Sequence, residues 1–204
     1  MSPHPRPHRP SAGLCPPVPR ERGSGGEGSL LRSALLAVCL LALPLPAAAQ
    51  APEYDLKAAF LFNFVKFVEW PPDAFPGDRA PLTLCVYGKD PFGSALDSVV
   101  QGERVGERSL LVRRPDSLDG LGGCHVLFVS RSETERLGEV LTRTGGRPVL
   151  TVSDTDGFLQ AGGVINFVLE GSKVRFLINQ KAAERNGLRI SSKLLRLAMI
   201  PLGR

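Results

Sequence analysis

A thiol beside an imidazole is the pairing in this chain with the most chemistry to offer. Cys124 and His125 are neighbours, and no other histidine occurs beyond residue 8. A thiolate served by an imidazole base is a nucleophile. Consecutive strand residues, however, point to opposite faces of a sheet. The sulfur also has a competing fate, because Cys85 is the one other cysteine beyond residue 39. An even pair of cysteines in an exported protein reads first as a disulfide. Such a bridge closes a loop of about 39 residues, which stabilises a fold by roughly 4 kcal/mol in the chain-entropy model, provided the two Cα atoms come within about 7 Å. With Cys124 so engaged, His125 reads as a strand-end histidine and no catalytic residue is expected.

The remaining chemical motifs are incomplete. Asp154-Thr155-Asp156-Gly157 begins like a calcium loop but lacks the third acidic position and the closing glutamate, so it reads as a turn, and no metal is expected. The segment Gly88 to Gly93 follows a strand, yet its polar residues and Pro91 break the glycine pattern of a dinucleotide site, and no cofactor is expected. Ser130-Arg131-Ser132 opens a helix, where it either caps the backbone or holds an anion on its N–H groups. Together with Gly88 and Ser153-Asp154 it falls at the carboxyl ends of strands, where open α/β sheets place ligands. A small-molecule-sensing module coupled to a membrane receptor or kinase is therefore an alternative to a purely protein-binding role.

The elements that must position these residues alternate between strand and helix. Residues 82–87, 109–113, 124–129 and 148–152 are apolar β-rich runs. A helix over 91–100 opens at Asp90 and Pro91, and a second over 132–144 carries the capping-box spacing of Ser132 and Glu135. Strands alternating with helices imply parallel pairing and right-handed crossovers. In the order 2-1-3-4, the two strands bearing Cys85 and Cys124 are neighbours. Residues 164–169 and 173–178 are strands joined by the turn Glu170-Gly171-Ser172, followed by helices over 179–186 and 191–197. The fold class is thus α/β: a single doubly wound, flavodoxin- or Rossmann-like, mostly parallel sheet with a C-terminal antiparallel hairpin. Asn166 and Asn179 place amides in that hairpin, where N–H and C=O must both find partners. With the inward Phe167 and Phe176 they form a structural motif. Lys173 and Arg175 alternate with inward residues and face solvent or a partner.

Residues 33–43 are an apolar run of signal-peptide length, broken by Pro44 and Pro46 and followed by Ala47-Ala48-Ala49 as a small-residue cleavage site. The organisation is therefore a disordered leader over 1–28, a signal peptide over 29–49 and one domain over 50–204 that is exported from the cytoplasm. Residues 1–49 hold five of the 25 Lys and Arg and two of the 20 Asp and Glu. The mature chain thus carries 20 basic against 18 acidic residues, a net +2. No basic stripe with interleaved aromatics remains, so nucleic acid is not an expected partner.

Residues 54–71 form the most apolar helical run. Asp55, Asn63, Lys66 and Glu69 share about a third of the circumference, and Lys57 alone falls outside that stripe. The run is too short and charged to span a bilayer, so no direct membrane insertion of the mature chain is expected. Two placements suit such a helix: as core on the sheet, or across a homodimer seam through Phe60, Phe62, Phe64, Phe67 and Trp70.

The segment Ala58-Ala-Phe-Leu-Phe-Asn-Phe-Val-Lys-Phe-Val-Glu-Trp-Pro71 resembles the YfiR family of periplasmic proteins (DUF4154, YfiR/HmsC-like). So do Gly162-Gly-Val-Ile-Asn-Phe167, Val174-Arg-Phe-Leu-Ile-Asn179, Ala182 and Gly187 to Ala198, and the resemblance covers nearly all of residues 54–200. It implies a non-enzymatic repressor that binds the periplasmic part of an inner-membrane diguanylate cyclase, or another membrane sensor, and lowers cyclic di-GMP and biofilm formation. Cys85 and Cys124 match the spacing of one family disulfide. A second family bridge has no counterpart here.

Overall fold

The computed structural model of the chain describes residues 51–199. The leader readings over 1–28 and 29–49 lie outside the described residues. Helix α1 (Ala51–Phe67) leads into a short strand β1 (Val68–Glu69) and a 3-10 turn at Pro72–Ala74. Then follow β2 (Leu82–Tyr87), α2 (Ala95–Val100), β3 (Arg104–Val105), β4 (Arg108–Arg113) and β5 (Val126–Val129). A 3-10 segment at Arg131–Arg136 runs into α3 (Leu137–Thr144). The chain continues through β6 (Leu150–Ser153), β7 (Ile165–Glu170), β8 (Lys173–Ile178), α4 (Gln180–Arg185), β9 (Arg189–Ile190) and α5 (Ser192–Leu197).

Seven strands form one sheet in the order β3-β4-β2-β5-β6-β7-β8. The strands from β4 to β7 run parallel, and the outer strands β3 and β8 are antiparallel to their neighbours. β1 and β9 make a separate antiparallel pair, with Val68 opposite Ile190. All six residues of β2 are buried, as expected of a strand covered on both faces. Leu82, Leu84 and Val86 join the core beneath α1, α2 and α4. Cys85 and Tyr87 join a second core with Leu137, Val140 and Leu141 of α3. The turn between β7 and β8 needs Gly171, whose φ is +61°, a region costly for residues with a Cβ.

Several boundaries differ from those read in the sequence, for local reasons. The first helix ends at Phe67, because Val68 and Glu69 pair with β9 and the Phe67 carbonyl accepts from the Ser191 N–H. The helix expected over 91–100 is shortened to α2, since Gly93 takes φ +54° and Asp90 accepts the Phe92 N–H in a turn. Ser132 does not cap a box with Glu135. Its hydroxyl accepts the Lys89 N–H across the cleft, Ser130 is the N-cap, and the segment kinks at Glu133. Strand β5 starts two residues later than expected, because the Cys124 N–H turns back to the Leu121 carbonyl. The short strands β3 and β9 had no signal in a two-residue run.

Candidate functional site

At the carboxyl ends of β2, β5 and β6 lies a buried charged cluster centred on Asp154, whose side chain is 1% exposed. α1 delivers two partners from one turn: the Lys57 ammonium lies 2.6 Å from Asp154 Oδ2, and the Tyr54 hydroxyl donates to the same oxygen at 2.7 Å. Lys57 also pairs with Glu53, one turn earlier, at 2.5 Å. Burial, with the Asp154 carboxylate as acceptor, holds the Tyr54 phenol well above the usual tyrosine value. Arg131 reaches in from the start of the 3-10 segment, its Nε donating to the Asp154 carbonyl at 3.2 Å and lying 3.3 Å from Oδ1. Oδ1 accepts no hydrogen bond among the described residues. Beside this cluster is a cleft of about 470 Å³ lined by Tyr54, Lys89, Asp90, Pro91, Ser130, Arg131 and Ser132.

Sequence reasoning anticipated the crevice and missed its centre. The sequence reading places Ser153-Asp154 at the crevice and Asp154 in a turn, but gives it no buried partner. The available signal was Lys57, the one charge within residues 54–71 that lies off their polar stripe. A lysine committed to an apolar face requires a buried carboxylate opposite it.

The amino ends of the strands carry a second polar centre, which is neutral. His125 Nδ1 accepts the Thr83 N–H at 3.1 Å, and Nε2 lies 3.1 Å from the Ala74 carbonyl. A ring that accepts at Nδ1 must donate from Nε2, so these two contacts define the tautomer. Phe75 stacks on the imidazole with ring centroids 4.4 Å apart, and the Arg108 guanidinium covers the Phe75 ring. Burial, helped by Arg108, lowers the His125 pKa below the ordinary histidine value. Trp70 donates its indole N–H to the His125 carbonyl. Thus His125 anchors the 70–80 loop, and its neighbour Cys124 is bonded to Cys85 with Cα atoms 5.8 Å apart. Among the described residues no group of three or more His, Cys, Asp or Glu is placed to hold a metal ion.

α1 covers the sheet with one face. Phe64 is fully enclosed, its ring 5.6 Å from Phe167 and 5.0 Å from Phe176. Phe60, Phe62, Phe67 and Trp70 are half-buried, while Leu56 is 45% exposed. Lys66 lies over the Phe62 ring. In the hairpin, the Asn166 amide is oriented so that its nitrogen donates to the carbonyls of Ser153 and Thr155. Asn179 accepts the Ala182 N–H as the cap of α4 and donates to the Leu159 carbonyl. Among the described residues no helix is long and apolar enough to cross a membrane.

A model of the YfiR/HmsC-like family (DUF4154) matches residues 54–199. Two solved structures are distantly similar. They are a conserved domain protein from Vibrio cholerae O1 biovar El Tor, at 8% identity and TM-score 0.46, and the ABC domain in complex with L-Trp from Streptococcus pneumoniae, at 10% and 0.49. They cover 72% and 70% of this chain, which in turn spans 59% of each of theirs. Overlap at that level carries no functional argument.

Proposed function

From the premise that this chain belongs to the YfiR/HmsC-like family of periplasmic regulators, not a known enzyme family, we propose that it binds and represses an inner-membrane diguanylate cyclase. The family match over residues 54–199 is the observation that carries this reading. The buried disulfide is consistent with work outside the cytoplasm, and with Cys124 bonded no thiol remains beside His125. Export through an N-terminal signal peptide belongs to the same proposal.

Repression then acts through contact. The outer face of α1, which exposes Leu56 and leaves Phe62 half-buried, is the seam of a homodimer in this proposal. Leu111 on β4, 46% exposed and on the opposite face of the sheet from α1, lies in the surface left for the cyclase. Deleting the gene should raise cellular cyclic di-GMP, and restoring the wild-type gene should reverse the rise. Nucleotide levels that do not move on deletion would count against repression. Light scattering of the purified mature chain tests the seam: a Phe62→Asp variant should be monomeric where the wild type is dimeric.

A further inference from the structure

The cleft at the carboxyl ends of β2 and β5 has an excess of uncommitted positive charge. Its nearby carboxylates are all engaged, Glu133 among them, which accepts from the Ser132 hydroxyl at 3.1 Å and pairs with Arg136 at 3.7 Å. Asp154 is held by Lys57 and Tyr54, Glu53 by Lys57, and Asp90 by the Arg114 guanidinium at 2.6 Å and the Phe92 N–H at 2.7 Å. The serines are engaged as well: Ser130 donates to the Lys89 carbonyl, and Ser132 accepts the Lys89 N–H. Two cations remain. No carboxylate pairs with Lys89 among the described residues, and Arg131 uses only its Nε, on Asp154. Its side chain is 60% exposed.

Arg131 is thereby oriented. A surface arginine ordinarily samples many rotamers and loses that freedom when it binds. Here the Asp154 carbonyl accepts the Arg131 Nε–H, and the buried carboxylate of Asp154, held by two groups from α1, lies 3.3 Å from that nitrogen, so the near edge of the guanidinium is fixed. Among the described residues the two terminal nitrogens are left with their N–H groups uncommitted, a fork that matches the two oxygens of a carboxylate or phosphate. Lys89, on the turn after β2, adds a point charge to the same cleft. About 470 Å³ is within the usual range for a small-molecule site.

We propose that this cleft binds a small oxyanion, a carboxylate or phosphate group gripped by Arg131 and Lys89. The assignment does not depend on whether a cyclase is the partner. Isothermal titration of the purified mature chain at low ionic strength, with inorganic phosphate, citrate and uncharged glycerol as probes, tests it. Phosphate or citrate should bind and glycerol should not, and whichever anion binds more tightly identifies the ligand group. R131Q should weaken binding by roughly tenfold or more, R131K should recover only part of that loss for want of the fork, and K89Q should weaken it less. K181Q, outside the cleft on α4, should bind as wild type. Circular dichroism of each variant establishes that it is folded. No heat with either anion at millimolar concentration, or equal affinity in wild type and a folded R131Q/K89Q variant, would overturn the proposal.

Discussion

The two ends of the sheet are closed by polar centres of opposite design. At the carboxyl end, α1 is tied down by charge, through Lys57 and Tyr54 on Asp154. At the amino end, the 70–80 loop is tied down by a neutral imidazole between the Thr83 N–H and the Ala74 carbonyl. The first has no covalent support. The second stands beside a disulfide that joins β2 to the start of β5. The difference teaches where each end is weak. A buried ion pair is sensitive to loss of one partner, because the other charge is left uncompensated. A buried neutral histidine is sensitive to acid, because protonation turns its acceptor nitrogen into a donor facing an N–H.

The largest effect should come from Asp154→Ala, which leaves Lys57 at 1% exposure with Glu53 as its remaining carboxylate among the described residues. Breaking a buried pair on one side typically costs about 3–5 kcal/mol. Urea unfolding should show that loss, and the double variant Lys57→Met with Asp154→Leu should recover most of it. Equal destabilisation by the single and double variants would mean that the cluster acts through packing and not through charge. Next in size is the disulfide. Replacing Cys85 and Cys124 by alanine removes a cross-link across 39 residues, worth up to roughly 4 kcal/mol by loop entropy. The same loss should appear when the wild type is reduced, and the double variant should no longer respond to reductant.

Acid should separate the two ends. The folded His125 pKa lies below the unfolded value of about 6.5. As pH falls, the unfolded chain therefore takes up the proton first, which favours unfolding. The stability in question is fully present above about pH 6.5 and declines below it, until the folded imidazole also titrates. A thermal melt of wild type should fall between pH 7 and pH 5 with a steeper slope than His125→Phe. That variant should itself be less stable at pH 7 by about 1–3 kcal/mol, since the Thr83 N–H and Ala74 carbonyl lose their partner. Parallel slopes in the two proteins would remove the histidine from the acid response.

How much of this was legible in the residues follows from the range of the forces involved. The parallel strands announced themselves as apolar runs, and the hairpin through Glu170-Gly171-Ser172 has the register Glu170 to Lys173. The cysteine pairing followed from the count of thiols and the strand order. Asp154 was hidden because its partners lie about a hundred residues earlier, and a turn motif explains the same letters locally. The end of α1 was hidden for a similar reason. Nothing within residues 54–71 stops a helix before Pro71, and what stops it at Phe67 is β9, over a hundred residues later.

The smallest prediction concerns that late closure. Ser191 caps α5 by accepting the Leu194 N–H at 3.3 Å, and its own N–H donates to the Phe67 carbonyl. Ser191→Ala removes the first contact and spares the second, so it should cost about 1 kcal/mol, the usual value of an N-cap. Because β9 immediately precedes Ser191 and pairs with β1, the loss should surface as faster hydrogen exchange in residues 68–69 and 189–190, the separate pair that adjoins the His125 end through Trp70. Exchange near Asp154, at the other end, should stay unchanged. Uniform acceleration across both ends would mean that the sheet opens as one unit, and that the two centres do not protect separate regions.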